Sequence, residues 1–85
     1  MGLVIVHPCV IERHPELDEQ DVREAWECYV RMARRSNDQV IAIGFDGKGR
    51  AVEMVAKEAG GDYLVYHAMT PPTVNALREL GMVWR

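Results

Sequence analysis

Three side chains suited to proton transfer and ion pairing fall in two consecutive segments of strand-like composition. Glu53 and Lys57 are four positions apart in the first segment, and because strand side chains alternate between faces, both lie on one face. His67, in the next segment, joins that face only in some registers. If the glycine turn between the segments is symmetric, Met54 lies opposite His67, whereas one extra loop residue brings Glu53 or Val55 nearer. The same residues are also compatible with an ordinary solvated, salt-bridged sheet face.

A second group of interest is the cationic cluster formed by Arg31, Arg34 and Arg35. We predict a helix over residues 18–35, which places these arginines in its last turns. Cations there complement the negative end of the helix dipole and need no further role. Alternatively, they form a small basic patch that binds phosphate. The sequence leaves both interpretations open.

Several other classes of site lack a sequence signature. The chain has no P-loop, no dinucleotide-binding glycine motif and no HExxH motif. Asp46-Gly47-Lys48-Gly49 lacks the following helix that would direct amides at an anion, so it predicts a hairpin turn. The histidines and cysteines do not show the spacing of metal ligands, and we expect neither a metal nor another cofactor. These residues are His7, His14, His67, Cys9 and Cys28.

Composition and charge narrow the functional classes further. The 85 residues are 48% hydrophobic with a net charge of −3, which predicts one domain over residues 1–85. Residues 12–27 carry seven carboxylates against two arginines, while residues 31–85 carry eight basic and six acidic side chains. This balance excludes a protein that coats nucleic acid through bulk charge, but it allows a local cationic patch. No apolar run approaches membrane-spanning length, and nothing marks export, so we expect a cytoplasmic protein that works beside a partner.

The helix over 18–35 has the strongest pattern in the chain. Asp18 is a suitable N-cap, and the acidic residues that follow suit the positive end of the dipole. Apolar residues recur at helical spacing, and Ser36-Asn37-Asp38 is expected to end the helix. The stripe comprises Val22, Trp26, Tyr29 and Ala33.

The remaining segments predict a sheet and two short helices. A helical turn is expected to begin at Pro8, and a last helix to begin with Thr70 as its cap and Pro71 at its first position. Its expected buried stripe is Val74, Leu77 and Leu80. The predicted strands span residues 3–6, 40–45, 50–57 and 63–69. We therefore expect an α+β domain with a short N-terminal strand, a helical segment, a three-stranded antiparallel meander and a C-terminal helix, with the helices packed on one face.

The order of several short motifs resembles the BrnT-like toxins of bacterial type II toxin–antitoxin pairs, whose fold is related to RelE. Arg13-His14 precedes an acidic helix start, as in that group, and Ile43-Gly44 leads through a hairpin to an arginine-led strand, residues 49–55. His67-Ala68-Met69, followed by Thr70-Pro71-Pro72, matches the end of the third strand in one branch. The resemblance covers residues 11–80.

The resemblance implies metal-independent RNA cleavage by attack of a 2′-oxygen on the adjacent phosphorus. It implies Glu53 or His67 as base or acid, and His14 as a second proton-transfer group. It also implies Arg50 as the phosphate clamp, with Lys48 or Lys57 assisting. The expected partners are RNA and a cognate antitoxin, typically a ribbon-helix-helix DNA-binding protein, with formation of a homo-oligomer as a further expectation.

A second hypothesis is a non-catalytic protein-interaction module on the same fold. Met69 stands where better-known members carry an arginine, which together with the acidic pI favours this alternative. Arg50, Glu53 and His67 favour the endoribonuclease. Cleavage of total RNA by the wild-type chain but not by site variants would discriminate between the two.

Overall fold

The computed structural model describes residues 3–82 as an α+β fold with three helices and a five-stranded mixed sheet. The sheet order is β1-β5-β4-β3-β2, with β1 parallel to β5 and every other pair antiparallel. Within residues 3–82, no helix is long and apolar enough to cross a membrane. The elements are β1 (Val4–Val6), α1 (Pro8–Arg13), α2 (Glu19–Glu27), β2 (Tyr29–Arg34), β3 (Gln39–Phe45), β4 (Ala51–Ala59), β5 (Asp62–Met69) and α3 (Val74–Glu79).

The larger core lies between the sheet and the first two helices. Val10 of α1 and Val22 and Trp26 of α2 pack with alternate residues of the strands, among them Met54. The approach of α2 to β3 is close at Gly44, where a Cβ atom would lie 1.9 Å from the carbonyl oxygen of Ala25. Because only glycine fits at this contact, the sequence of β3 determines how closely α2 packs.

The second core lies on the opposite face of the sheet, under α3. Ile41, Ile43 and Val55 pack there against Ala76 and Leu80. The expectation that the helices share one face is therefore wrong. Residues 40–45 are apolar at both odd and even positions, so each face of β3 needs a cover, and α3 provides the second one.

The predicted helix over 18–35 is wrong in its second half. Asp18 does cap a helix, and its carboxylate and that of Asp21 form a reciprocal capping box, but the helix ends at Glu27. Residues 29–34 form β2, whose aromatic and β-branched residues suit a strand. Asn37 and Asp38 both have positive φ, as in a type I′ turn, and this turn folds β2 onto β3. The three arginines therefore lie on or next to a strand, and none lies at a helix end.

The meander is larger than predicted, and the last helix begins later. The three expected strands are present as β3, β4 and β5, but β2 adds a fourth antiparallel strand. The last helix begins at Val74 with Thr73 as its cap, because the Thr73 hydroxyl accepts a hydrogen bond from the Ala76 amide. The hydroxyl of Thr70 instead donates to the carbonyl of Ala51. In the predicted stripe Val74 is exposed, and Ala76 takes its place in the core.

A β-bulge in β5 determines which face His67 occupies. The glycine turn is symmetric, since Ala59 pairs with Asp62, but the register shifts by one residue between Ala56 and Val55. Tyr66 is the extra residue, and beyond it His67 pairs with Val55 rather than with Met54. His67 thereby shares a face with Glu53. The extra residue lies within the strand and not in the loop.

Candidate active site

The centre of the candidate site is a hydrogen bond between His67 and Glu53. The Nε2 atom of His67 lies 2.8 Å from Oε2 of Glu53. Strand alternation places Glu53 on the α3 face, and the bulge places His67 beside it. The Glu53 side chain is 8% exposed and that of His67 is 33% exposed. The buried Glu53 carboxylate is thus hydrogen-bonded to the His67 imidazole, which is accessible to solvent.

The second carboxylate oxygen of Glu53 is bound by the start of α3. Oε1 accepts hydrogen bonds from the Thr73 amide at 2.9 Å and from the Thr73 hydroxyl at 2.8 Å. Burial raises the pKa of Glu53, but the hydrogen bonds from Thr73 and His67 outweigh it, so the pKa lies below its usual value. Glu53 is therefore an ionised group that orients its neighbours, because both of its oxygens are already engaged.

His14 brings a second imidazole to His67. It is the residue that ends α1, and its backbone amide donates to the carbonyl of Val10. In the described part of the chain, β1 pairs with residues 63–65 of β5 alone, so the second half of β5 forms the sheet edge beside which His14 lies. The two rings are 6.2 Å apart between centroids and nearly perpendicular, at 88°. Nδ1 of His14 is also 3.6 Å from a carboxylate oxygen of Glu16.

This arrangement is suited to coupled proton transfer. Imidazole gains and loses protons near neutral pH, and two rings at this separation are able to act on two atoms of one small group. Through its hydrogen bond, Glu53 fixes the ring orientation of His67. Both histidines are partly exposed, so a substrate has access to them.

Arg50 lies on the other side of the sheet from this pair. Its Nε donates to Asp46 at 2.8 Å, and its two terminal nitrogens donate to Asp21 and to the backbone oxygen of Glu16, each at 3.0 Å. The side chain is 31% exposed. Arg50 thus ties the β3–β4 hairpin to α2 and to the segment that follows His14.

The two acidic partners of Arg50 are themselves buried. Burial raises the pKa of Asp21 and of Asp46, but hydrogen bonds from backbone amides, Arg50 and Lys48 lower each pKa below its usual value. Lys48 contributes through Nζ, 3.3 Å from Asp21, although its side chain is 62% exposed. Within the described residues, the two carboxylates of this cluster balance the positive charges of Arg50 and Lys48.

The other predicted phosphate-binding cations lie apart from the two histidines. Lys57 and Arg31 are exposed and form no salt bridge with any of residues 3–82. Arg34 pairs with Glu58, and Arg35 makes two hydrogen bonds with Glu79 from the end of α3. These pairs account for the positions of Arg34 and Arg35 without a ligand. Lys57 and Glu53 lie toward opposite ends of β4.

Three functional or positioning residues were not singled out from the sequence. Thr73 binds Glu53, and Asp21 and Asp46 bind Arg50. A threonine directly before an amphipathic stretch is a recognisable cap, and an aspartate at the start of a glycine-containing turn commonly bonds its own backbone. Asp46 does so, accepting from the amides of Lys48 and Arg50. Their long-range partners had no signal in the sequence.

Comparison with family models, curated proteins and solved structures gives no match to this chain.

Proposed function

We propose that this protein is a metal-independent endoribonuclease that acts as the toxin of a bacterial toxin–antitoxin pair. The observation that carries the proposal is the His14–His67 pair, with His67 held by the buried carboxylate of Glu53. Cleavage next to a 2′-hydroxyl needs one base and one acid and no metal, and this site offers both. The α+β class, with three helices and a five-stranded mixed sheet, supports the proposal at the level of fold class alone.

In the proposed reaction His67 is the base. It accepts the 2′-hydroxyl proton, and the 2′-oxygen forms a bond to the adjacent phosphorus while the bond to the 5′-oxygen breaks. Glu53 stabilises the resulting imidazolium of His67. His14, protonated at the start, donates its proton to the departing 5′-oxygen, which leaves a 2′,3′-cyclic phosphate and a 5′-hydroxyl.

Arg50 acts as a positioning residue in this proposal. Its bond to the backbone oxygen of Glu16 holds the chain two residues after His14. The guanidinium is already shared between two carboxylates, so its charge is less available to a phosphate than the sequence suggested. The positive charge that stabilises the transition state comes instead from the two histidines.

Phe45 offers a surface for a nucleobase. It is 44% exposed and pairs with Ala51, so it lies diagonally from Glu53 on the neighbouring strand and on the same face. Exposed aromatic rings bind unpaired bases by stacking, typically with about 1–3 kcal/mol per base. This placement favours single-stranded RNA as the substrate.

The test is an RNA cleavage assay with matched histidine variants. We expect His67→Ala and His14→Ala each to lower the cleavage rate by roughly 10²–10⁴-fold, the usual contribution of one acid or base. His7→Asn is the control, because it removes an imidazole outside the site while keeping an acceptor for the Cys9 amide. Equal RNA cleavage by wild type and both site variants, or no cleavage by any of them, contradicts the proposal.

The biological setting completes the proposal. The enzyme would act in the cytoplasm, and a cognate antitoxin, of the ribbon-helix-helix class expected from the resemblance, would neutralise it. A neighbouring gene for such a protein, and relief of growth arrest when the two are expressed together, are the expected observations.

The alternative function, a protein-interaction module, is favoured by the state of the cations. Lys48, Arg34, Arg35 and Arg50 are each engaged by carboxylates of the same chain. A chain that is harmless on expression and inert toward RNA, yet binds a partner protein, would support this alternative.

A further inference from the structure

The edge of the sheet formed by β2 has unused backbone hydrogen-bonding groups. Among residues 3–82, β2 is the last strand of the sheet and pairs only with β3. The Arg35 amide donates to the Gln39 carbonyl, and backbone groups of an antiparallel strand alternate in direction. The amides and carbonyls of Ala33 and Arg31 therefore face β3, and those of Met32 and Arg34 point away from the sheet.

A groove of about 420 Å³ runs along this edge. Tyr29 and Val30 are 51% and 48% exposed, an unusual degree of exposure for two adjacent large apolar residues. The main described contacts of α2 are with β1, β3 and β4; of the residues that line the groove, Met32 packs against the core under α2, whereas Tyr29 and Val30 are exposed. The groove is lined by Tyr29, Val30, Arg31, Met32, Arg34 and Val40.

The charge of this edge indicates what occupies it. Residues 29–37 include Arg31, Arg34 and Arg35 and no carboxylate. Arg35 is fully engaged by Glu79, but Arg34 is 63% exposed beside Glu58, and Arg31 has no salt bridge within residues 3–82. If a second copy paired through its own β2, three more arginines would enter the same interface. Repulsion between like charges disfavours this arrangement. An acidic strand is complementary in charge.

We propose that the β2 edge binds an extended acidic segment of a partner protein as an additional strand of the sheet. The partner's backbone bonds to the outward groups of Met32 and Arg34, its apolar side chains fill the groove, and its carboxylates meet Arg31 and Arg34. The proposal goes beyond the nuclease and is independent of it, because His67 lies on β5, three strands away in the sheet order.

The test uses the full chain and a synthetic peptide that alternates glutamate with valine and isoleucine, with lysine replacing glutamate in a matched control. We expect the acidic peptide to bind wild type and the basic one not to bind, measured by calorimetry. Met32→Pro removes one outward amide at an edge position where proline is tolerated and should lower affinity about tenfold or more. Arg31→Glu should lower affinity for the acidic peptide and raise it for the basic one.

Far-ultraviolet circular dichroism establishes that each variant is folded, and Arg31→Glu, a change at an exposed position, keeps the test valid if Met32→Pro unfolds. Failure of the acidic peptide to bind, or equal binding by all variants, overturns the proposal. Two other results overturn it as well. One is a wild-type dimer that dissociates in Arg31→Glu, which assigns the edge to a second copy. The other is loss of RNA binding in Arg31→Glu without peptide binding by wild type, which assigns the edge to nucleic acid.

Discussion

Two ionic clusters lie at the same end of the sheet, on opposite faces. They differ in which side chains remain available to contact a ligand. Around Arg50, the guanidinium donates to Asp46, Asp21 and the Glu16 carbonyl, and the Lys48 side chain adds an ion pair with Asp21. Around Glu53, both carboxylate oxygens are also engaged, but the histidines at the rim are partly exposed.

The comparison shows that hydrogen-bond saturation alone does not decide whether a cluster leaves a group free to meet a ligand. In the Arg50 cluster the saturated groups are the charged groups themselves, so little charge is free to act on a substrate. In the Glu53 cluster the saturated group is the Glu53 carboxylate. It orients the His67 ring, and that ring is accessible to solvent. Three substitutions test this difference.

The largest effect is expected from Glu53→Gln. The amide still accepts from Thr73, but it no longer places a negative charge beside His67, so the cleavage rate should fall about a hundredfold or more. The pH–rate profile should change as well, because a carboxylate that is ionised in the folded chain is replaced by a neutral amide. Rate measurements from pH 5 to 9, with chain concentration corrected for the folded fraction, check this. An unchanged profile and rate would make Glu53 a structural residue only.

A smaller effect, on stability, is expected from Asp46→Asn. The amide oxygen still accepts from backbone amides, but the ionic bond to Arg50 is lost, which should cost about 2 kcal/mol in the free energy of unfolding. The cleavage rate of the folded fraction should change less than tenfold. Loss of activity in a fully folded Asp46→Asn chain would assign the Arg50 cluster to catalysis.

The same variant tests the pH dependence of stability. Because the pKa of Asp46 is lowered on folding, its contribution to stability is present above the usual carboxylate pKa and is lost as the pH falls through the lowered value. Urea unfolding at neutral and acidic pH should therefore show a weaker acid destabilisation in Asp46→Asn than in wild type. Lys48→Met is the control, since its exposed ion pair should contribute at most about 1 kcal/mol.

The smallest effect is expected from Thr73→Val, compared with Thr73→Ser. Valine removes the hydroxyl that caps α3 and donates to Glu53, which should cost about 1 kcal/mol. Serine keeps both bonds and should behave as wild type. Thermal unfolding measures the stability, and an equal melting temperature for the two variants would show that the hydroxyl adds nothing to the Glu53 cluster.

Local patterns predicted part of this fold, and contacts between distant segments determined the rest. The cap at Asp18, the strands and the hairpin at residues 46–49 follow from residue types and spacing. The apolar stripe through Tyr29 and Ala33 fits helical spacing, but pairing with β3 outweighs that local preference. The available sequence signal for a hairpin there was the pair Asn37-Asp38, since both residue types tolerate the positive φ that this turn requires.

For the candidate site, the residue types could be predicted from the sequence, but which side chains lie close together in space could not. His14, Glu53 and His67 were selected as proton-transfer candidates, and the structure brings the three together. Whether His67 shares a face with Glu53 depends on the β-bulge at Tyr66, which no turn-forming residue in the sequence indicates. The engagement of Arg50 by Asp21 depends on how α2 packs on the hairpin, which residue spacing does not encode.

The bulge at Tyr66 also has a consequence for chain length. Two residues of β5 oppose Val55, so removing Tyr66 restores regular pairing while leaving His67 opposite the same residue. The costs are the packing of the Tyr66 ring against the core under α3, the hydrogen bond that Gln39 donates to its hydroxyl and the one that Cys9 donates to its carbonyl. Strand β5 is therefore able to shorten by one residue at this point without moving the candidate site, whereas a deletion between His67 and Thr70 would change the segment that leads into α3.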